Sequence, residues 1–337
     1  MHFQQIPGTE LSPSVLALGT VPVGSTLDQA ESFALLDAYL AAGGTFIDTA
    51  RVYSDWLPGE RNSSEKMIGR WLAARGKRVR DSLVLATKGA HPPLDDMRQA
   101  RMSRADIMHD LEGSLRDLGT DRIDLYWLHR DAPARPVEDI IDTLDDLANA
   151  GHLRHYGASN WTAERIEAAN TYAARAGRRP FVANQMMWSL ATTNPEGMLD
   201  DTLVEMDTST DALHRQTGLA AAPYTSQALG FFSGRYERGA PLPYSPAARN
   251  VERLFFNDTN FERLARVRDL AARLGRTTTQ VSLAVLRARP FPVFPIIGPR
   301  TVEQFQDSLP AGDLHLSAET ARWLETGFPE QLAGSGA

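Results

Sequence analysis

Strand-like apolar segments alternate with helix-like segments along nearly the whole chain, and this alternation constrains the fold more than any other feature. The predicted strands are 14–20, 45–49, 83–88, 123–129, 156–160, 181–186, 220–225 and 293–298. The predicted helices include 28–42, 64–75, 104–118, 136–150, 163–176, 200–217 and 278–288. Strands that are separated by helices run parallel, and eight such units predict an α/β fold, a closed (β/α)8 TIM barrel.

The segments outside this alternation complete the predicted architecture. A turn at Pro7-Gly8 predicts an N-terminal β-hairpin. The stretch 230–260, rich in Gly, Pro, Tyr and Arg, is predicted to be a long loop at the C-terminal face, either a lid or a disordered insertion. We expect one barrel domain at 1–330 and a disordered tail at 331–337. An open doubly wound sheet is disfavoured, because no Gly-x-Gly-x-x-Gly follows the first strand.

The composition excludes several classes of function. A formal net charge of -7 leaves no basic excess for phosphates, so we expect no nucleic-acid partner. The absence of cysteine excludes disulfides, thiolate metal sites and a thiol nucleophile. The first residues lack the pattern of a signal peptide, and no apolar run approaches the roughly 20 residues of a membrane span. The sequence therefore predicts a cytoplasmic protein with no membrane partner, and it is compatible with a homo-oligomer.

Four polar side chains lie at the predicted carboxyl ends of neighbouring strands or just beyond them. Asp48 is near the end of the second strand, and Tyr53 lies in the loop that follows. Lys88 and His129 end the third and fourth strands, and each closes an otherwise apolar row of alternating residues. A single lysine or histidine there is more often a solvated or packed residue. Four such residues at one face of a barrel, where chemistry is located in this fold, are less easily coincidental.

Together these residue types suit proton transfer to an oxygen atom. A phenol with a pKa of ~10 is a poor acid at neutral pH, and we expect the Lys88 ammonium to lower the pKa of Tyr53. We expect Asp48 to pair with Lys88, because an unpaired buried charge is costly. His129 can donate a hydrogen bond to a substrate oxygen. Such a set would protonate an oxygen that gains negative charge, for example a carbonyl that receives a hydride.

The order Asp48, Tyr53, Lys88, His129 resembles the catalytic tetrad of the aldo-keto reductase superfamily. Segments 157–160, 184–185, 223–230 and 296–305 also resemble that family, in the same order along the chain. The resemblance implies a (β/α)8 barrel that uses NAD(P)H without a metal, with the four residues in catalytic roles. It also implies a set of cofactor-binding residues: Ser159, Asn160, Gln185, Tyr224, Ser226, Leu229, Gly298, Arg300, Gln304 and Ser308.

The residues assigned to the nicotinamide have suitable chemistry. The hydroxyl of Ser159 and the amides of Asn160 and Gln185 can orient a carboxamide. Tyr224 can stack on a flat pyridine ring, or it can be a core aromatic residue. Both interpretations of Tyr224 remain open from the sequence.

The segment after Gly298 has the features of a phosphate site. It combines backbone N–H groups at a helix N-terminus with Arg300, whose planar guanidinium can bind a phosphate in bidentate fashion. Because a 2′-phosphate distinguishes NADPH from NADH, Arg300 favours NADPH (NADP+); the alternative is a solvated loop charge. Asp307-Ser308 departs from the family's acidic-residue–Asn pair, which leaves an asparagine contact to adenine in doubt.

We therefore predict NADPH-dependent reduction of an aldehyde or ketone to the alcohol, with Tyr53 as the proton donor; the same residues could run the reverse oxidation. The partner is a small-molecule carbonyl substrate. Aromatic and polar residues near the strand ends suit a sugar-like carbonyl better than a steroid. These predicted pocket residues are Trp56, Trp127, Trp188 and Arg130.

Two other classes of protein are alternatives to a reductase. A cofactor-binding regulatory or redox-sensing subunit with little turnover would retain the same four residues, so the tetrad does not discriminate against it. A metal-dependent barrel hydrolase is poorly supported, because the 8 histidines are scattered without ligand spacing. We therefore expect no metal site.

Overall fold

The computed structural model of the chain describes residues 1–328, and its eight strands form one parallel sheet. The strands are β1 (Ala17–Gly19), β2 (Phe46–Asp48), β3 (Val84–Gly89), β4 (Ile123–Leu128), β5 (Leu153–Ser159), β6 (Ala183–Gln185), β7 (Ala220–Ala221) and β8 (Ile296–Ile297). They are ordered β7-β6-β5-β4-β3-β2-β1-β8. A parallel bridge between Ala221 and Val293 joins the two ends of that order. The predicted (β/α)8 barrel is thus confirmed.

Helices connect these strands and surround them. The helices are α1 (Gln29–Ala41), α2 (Ser63–Arg75), α3 (Lys77–Ser82), α4 (Arg104–Leu118), α5 (Val137–Asn149), α6 (Ala163–Ala176), α7 (Thr208–Thr217), α8 (Pro246–Phe255), α9 (Asp258–Leu274), α10 (Thr278–Arg287), α11 (Val302–Ser308) and α12 (Ala318–Thr326). Short 3-10 helices occur at Pro195–Gly197, Ala228–Ser233 and Leu309–Gly312. Within residues 1–328, no helix combines the length and apolar character needed to cross a membrane.

The predicted helix 200–217 begins later than expected. The Asp207 side chain accepts a hydrogen bond from the Thr210 N–H at 2.7 Å, which caps α7 at that point. Residues 201–202 form a turn instead, and Glu205 forms a parallel bridge with Met187. The segment 200–206 is therefore a loop beside the carboxyl end of β6.

The interpretation of 230–260 as one long loop was wrong, because much of it is helical. Ser245 accepts a hydrogen bond from Ala248 N at 3.1 Å and caps α8, and Pro246 occupies the first turn. Asn257 caps α9 in the same way, accepting from Asn260 N at 2.8 Å. A Ser-Pro pair at the start of an apolar-periodic segment is the signal that identifies such a helix from sequence.

Aromatic packing holds this insertion against the barrel. The Phe231 ring lies 5.4 Å from Phe261 and 5.9 Å from Phe256, both in edge-on contact. Val281 of α10 and Phe255 of α8 are buried in the same cluster. The segment is therefore a packed part of the molecule for most of its length.

The N-terminal hairpin closes one end of the barrel. Phe3 and Ser14 form an antiparallel bridge, and Ile6 N donates to Leu11 O at 2.9 Å. Ile6 and Leu11 are buried with the interior side chains of the strands, including Phe46 and Leu125. The hairpin prediction is confirmed. The opposite end of the barrel, where the strands reach their carboxyl ends, is not covered by the hairpin. The predicted disordered tail, 331–337, lies outside the described residues.

Candidate active site

Asp48 and Lys88 form a buried ion pair at the carboxyl ends of β2 and β3. The parallel register pairs Asp48 with Ala86, so Lys88 lies two residues further along its strand. Lys88 Nζ donates to Asp48 Oδ2 at 2.5 Å, and each side chain is 1% exposed. Lys88 Nζ also donates to the Thr49 backbone oxygen at 2.9 Å. The ammonium is therefore held in a dry position by one carboxylate and one carbonyl.

Tyr53 completes the coordination of that ammonium. Its hydroxyl oxygen lies 2.7 Å from Lys88 Nζ and 3.5 Å from Asp48 Oδ2. The loop that carries Tyr53 is fixed to β3, because Arg51 N donates to the Lys88 backbone oxygen at 3.0 Å. The Arg51 side chain pairs with the buried carboxylate of Glu65 at 3.0 Å. Asp48 of β2, Lys88 of β3 and Tyr53 of the loop after β2 are therefore in contact, as the sequence predicted.

The environment shifts the pKa of both groups. Burial, followed by the carboxylate of Asp48, raises the pKa of Tyr53 well above its usual value. Our expectation that the pKa of Tyr53 is lowered was therefore wrong in direction, because burial and Asp48 raise it. Burial lowers the pKa of Lys88, while Asp48 opposes that shift. Tyr53 is therefore protonated at neutral pH, with a cation in place to stabilise its phenolate.

His129 follows β4 and lies beside Tyr53. The two ring centroids are 6.0 Å apart in an edge-on arrangement. Among residues 1–328, neither ring nitrogen of His129 has a hydrogen-bond partner, and Nδ1 is sealed from solvent. Burial, followed by the nearby His91 and Arg130, lowers the pKa of His129 well below its usual value. The imidazole is neutral at pH 7 and can donate one N–H to a ligand oxygen.

Residues assigned to the nicotinamide lie on β5, on β6 and after β7, next to this group. Gln185 Nε2 donates to Asp48 Oδ1 at 3.0 Å, which leaves its Oε1 without a partner in the described part of the chain. The Ser159 oxygen accepts from Asn160 Nδ2 at 3.3 Å, and its own O–H remains available. A free acceptor and a free donor are what a carboxamide requires.

Asn160 is engaged within the protein instead. Its backbone is left-handed, with φ 59°. Its Oδ1 accepts from the Tyr224 hydroxyl at 2.6 Å and from Val204 N at 3.1 Å. Its Nδ2 donates to the His129 backbone oxygen at 3.1 Å. Asn160 therefore joins β4, β5 and the loop 200–206, and it holds Tyr224 half-buried at the edge of the site.

The residues assigned to the phosphates lie after β7 and β8. Ser226 is buried and donates to the Ile296 oxygen at 2.6 Å, which fixes one segment against the other. Leu229 is half-exposed, and its backbone is left-handed with φ 52°. A Cβ atom on Gly298 would meet no other atom within 4 Å, so that backbone faces open space.

The α11 N-terminus lies next to this open backbone. Gln304 Oε1 accepts from Arg300 N at 2.8 Å, and Ser308 Oγ donates to the Gln304 oxygen at 3.0 Å. Gln227 joins the two segments, donating to Ser308 Oγ at 3.0 Å. The Arg300 side chain is exposed and has no ion pair among residues 1–328. The site therefore offers a cation, open backbone and a capped helix start to an anionic group.

The four predicted pocket residues occupy different surroundings. Trp56 is 52% exposed, in the loop after Tyr53. Trp127 is fully buried inside the barrel. Trp188 packs against Phe291, with ring centroids 6.5 Å apart, rather than on the tetrad.

Arg130 contacts the backbone of His129 and is held by the loop after β6. It donates to Asp200 Oδ2 at 3.1 Å, to Thr202 Oγ1 at 2.9 Å and to the His129 oxygen at 2.9 Å. Asp200 and Thr202 were not identified as partners from the sequence, because they were assigned to a helix.

His91 is a residue of this site that the sequence reasoning missed. It lies just after β3, and its ring centroid is 4.7 Å from that of His129. The rule that selected Lys88 and His129, a polar residue at or just beyond a strand end, applies equally to His91. Among residues 1–328, no group of three or more His, Asp or Glu side chains could hold a metal ion.

Comparison with known proteins shows the family of the chain. The model of the Aldo/keto reductase family matches residues 15–326. The chain is 31% identical over 363 residues to the aryl-alcohol dehydrogenase (NADP(+)) of Phanerodontia chrysosporium, covering 99% of this chain and 89% of that protein. It is 32% identical over 335 residues to the oxidoreductase YrpG of Bacillus subtilis (strain 168), with 98% and 96% coverage.

Protein tas of Escherichia coli (strain K12) is also similar, at 28% identity over 354 residues, with 96% of this chain and 97% of that protein covered. The resemblance first drawn from Asp48, Tyr53, Lys88 and His129 is confirmed at the level of the family. The chain is an oxidoreductase that belongs to the aldo-keto reductase family.

Proposed function

We propose that the chain catalyses the NADPH-dependent reduction of an aldehyde or ketone to the alcohol, with Tyr53 donating the proton. The observation that carries this proposal is the buried contact of Lys88 Nζ with both Asp48 Oδ2, at 2.5 Å, and the Tyr53 hydroxyl, at 2.7 Å. A cation and a carboxylate arranged around one phenol have no evident packing purpose. They suit proton transfer to an oxygen that gains charge.

Each tetrad residue has a distinct part in that step. The high pKa of Tyr53 keeps its proton in place until a stronger base, the developing alkoxide, is present. When the O–H bond breaks, the phenolate is left beside the Lys88 ammonium. Asp48 holds Lys88, and Gln185 holds the other oxygen of Asp48 at 3.0 Å. Neutral His129 orients the carbonyl by donating an N–H.

NADPH is the cofactor that the remaining residues support. It would supply the hydride, with Ser159 and Gln185 at the carboxamide, Tyr224 against the ring, and the segments of Ser226 and Arg300 at the phosphates. The Arg300 guanidinium, which has no ion pair within residues 1–328, favours a 2′-phosphate. The printed name of the Phanerodontia chrysosporium relative, which includes NADP(+), points the same way.

The substrate we propose is a polar or aromatic carbonyl compound, including sugar-like ones. Arg130 and His91 place polar groups next to His129, and exposed Trp56 offers an aromatic surface in the adjacent loop. The name of the relative from Phanerodontia chrysosporium supports including aryl aldehydes. The favoured direction of the reaction would follow from the ratio of reduced to oxidised cofactor, since the same residues serve both.

Turnover assays with the purified chain test this function. NADPH mixed with aldehydes, ketones and keto-sugars should lose its near-ultraviolet absorbance with at least one compound. Tyr53→Phe should lower kcat by about 10²- to 10⁴-fold, the range of general-acid catalysis, while NADPH still binds. An unchanged kcat would contradict the role of Tyr53. Tight NADPH binding without turnover on the whole panel would favour the regulatory or redox-sensing subunit.

A further inference from the structure

His91 presents an unused hydrogen-bond acceptor beside the tetrad. Its Nδ1 lies 2.6 Å from the Pro92 backbone oxygen. A carbonyl oxygen only accepts hydrogen bonds, so Nδ1 must carry the hydrogen. Burial, followed by the charge of Arg130, lowers the pKa of His91 to about 4, so the ring is neutral at pH 7. The neutral ring carries one hydrogen, which leaves Nε2 as a bare lone pair.

The loop around His91 holds this ring in a fixed position. Arg101 Nη1 donates to the His91 backbone oxygen at 3.2 Å. Ala90, whose backbone is left-handed with φ 60°, donates its N–H to Asp110 Oδ2 at 2.8 Å. Arg101 and Asp110 are themselves paired at 2.9 Å. Such support is typical of a group whose orientation matters for recognition.

The lone pair of His91 Nε2 has no donor among the residues that the structure describes. Among residues 1–328, His91 Nε2 has no hydrogen-bond partner, and unlike Nδ1 of His129 it is not sealed from solvent. The residue is nonetheless only 9% exposed, and its ring is 4.7 Å from that of His129. A ligand that displaces water from this position must therefore supply a donor or leave the acceptor unpaired.

We infer that His91 Nε2 accepts a hydrogen bond from a hydroxyl group of the substrate, so that the preferred substrates are carbonyl compounds bearing a hydroxyl near the carbonyl. This inference rests on the proposed function and adds a specificity-determining residue to it. A site built to bind a substrate hydroxyl rejects the analogue that lacks it, because the buried polar group is then left unpaired. The donors of Tyr53 and His129 would engage the carbonyl oxygen, and the acceptor of His91 the hydroxyl.

Pairs of substrates that differ only in a hydroxyl replaced by a methyl test this inference. Hydroxyacetone and 2-butanone form one pair, and 3-hydroxybenzaldehyde and 3-methylbenzaldehyde form another. The full chain with NADPH should favour the hydroxyl member of at least one pair in kcat/KM. His91→Phe should lower that hydroxyl-to-methyl ratio by about 10-fold or more. His91→Gln, which keeps an acceptor oxygen, should restore part of it.

His109→Phe is the matched control, because His109 is an exposed histidine of α4. It should leave the ratio unchanged. A ratio that His91→Phe does not alter in either pair would overturn the role of His91 while leaving carbonyl reduction intact. If His91→Phe does not fold, an unchanged ratio in His91→Ala would overturn it equally. No turnover of these four compounds or of the wider panel of aldehydes, ketones and keto-sugars by the unmodified chain would overturn the proposed function itself.

Discussion

The barrel contains a buried ion pair at each end, Arg80–Asp124 and Lys88–Asp48. The two differ in how many of the surrounding donors and acceptors have a hydrogen-bond partner. At the hairpin end, Asp124 of β4 accepts from Arg80 at 2.7 Å, from Leu85 N at 3.0 Å and from Arg154 at 3.1 Å. At the other end, Asp48 pairs with Lys88, but free hydrogen-bonding groups surround the pair. Among residues 1–328, these include His129 Nε2, Gln185 Oε1 and His91 Nε2.

This difference separates structural from functional use of charge. Arg80 also donates to Thr120 Oγ1 at 2.9 Å and to the Arg122 oxygen at 2.7 Å, so the network around Asp124 is satisfied by the protein alone. Unused donors and acceptors next to the Lys88–Asp48 pair have no structural benefit, since unpaired buried polar groups destabilise the fold. They are better explained as groups that form hydrogen bonds to a bound ligand.

The largest expected effect is on stability at the hairpin end. Asp124→Asn should lower the free energy of unfolding by about 3–5 kcal/mol, because the Arg80 guanidinium cannot lose its charge and would remain buried without a carboxylate. Urea denaturation followed by circular dichroism measures this. Asp121→Asn, at an exposed aspartate nearby, is the control. A loss below about 1 kcal/mol would contradict the structural role of the network.

Asp48→Asn should have the opposite profile. We expect kcat for carbonyl reduction to fall by about 10²-fold or more, because Lys88 loses the carboxylate that orients it beside Tyr53. The free energy of unfolding should fall by less than in Asp124→Asn, because the pKa of Lys88 is already lowered by burial and the lysine can become neutral. If both aspartate variants lost equal stability and activity, the distinction between the two ends would fail.

The next comparison tests whether the exposed Arg300 guanidinium, which has no ion pair among residues 1–328, binds a ligand. Arg300→Ala should raise the Kd of NADPH by about 10- to 100-fold, the usual value of hydrogen bonds to a charged group, and the Kd of NADH much less. Fluorescence titration with both cofactors would show the difference. Arg276→Ala removes another exposed arginine, just beyond α9, and should affect neither. Equal losses for the two cofactors would remove the argument for NADPH.

The smallest expected effect concerns the link between the hairpin and β5. Glu10 pairs with Arg154 and with His155 Nε2, the latter at 2.8 Å. Burial acts to raise the pKa of Glu10, but hydrogen bonds to its own backbone and to His155, with the charge of Arg154, outweigh it and hold the pKa at about 2. The pair thus contributes stability that is present above pH 4.5 and is lost as pH falls towards 2.

Glu10→Gln should therefore remove part of the acid dependence of unfolding between those two values. The change should stay under about 1 kcal/mol, because the Glu10 side chain is half-exposed and solvent screens it. Thermal unfolding across this range measures it, with Glu112→Gln on the exposed face of α4 as the control. Identical pH profiles for the unmodified chain and Glu10→Gln would contradict the assignment.

The fold and the position of the site could be predicted because both depend on local patterns. The period of the apolar residues specifies which segments are strands and which are helices. Parallel strands bring their carboxyl ends to one face of the barrel, so Asp48, Lys88 and His129 had to lie near one another. Helix α8 was missed, although Ser245 and Pro246 are a local signal, because Gly and Pro elsewhere in 230–260 dominated the interpretation. His91 was missed although it follows a strand end as His129 does, and its contact with His129 is visible only in the tertiary structure.

By itself, the sequence determined the barrel, the hairpin and the strand ends that carry the catalytic residue types. Only the tertiary structure decided how each group behaves there. The pKa of Tyr53 rises rather than falls, Asn160 is engaged by Tyr224, and Trp188 packs against Phe291. The physical reason is that the groups that bury a side chain or hydrogen-bond to it belong to segments far apart in the chain. Periodicity, in contrast, depends only on residues close together in the sequence. The tertiary packing therefore decides the electrostatics of the site.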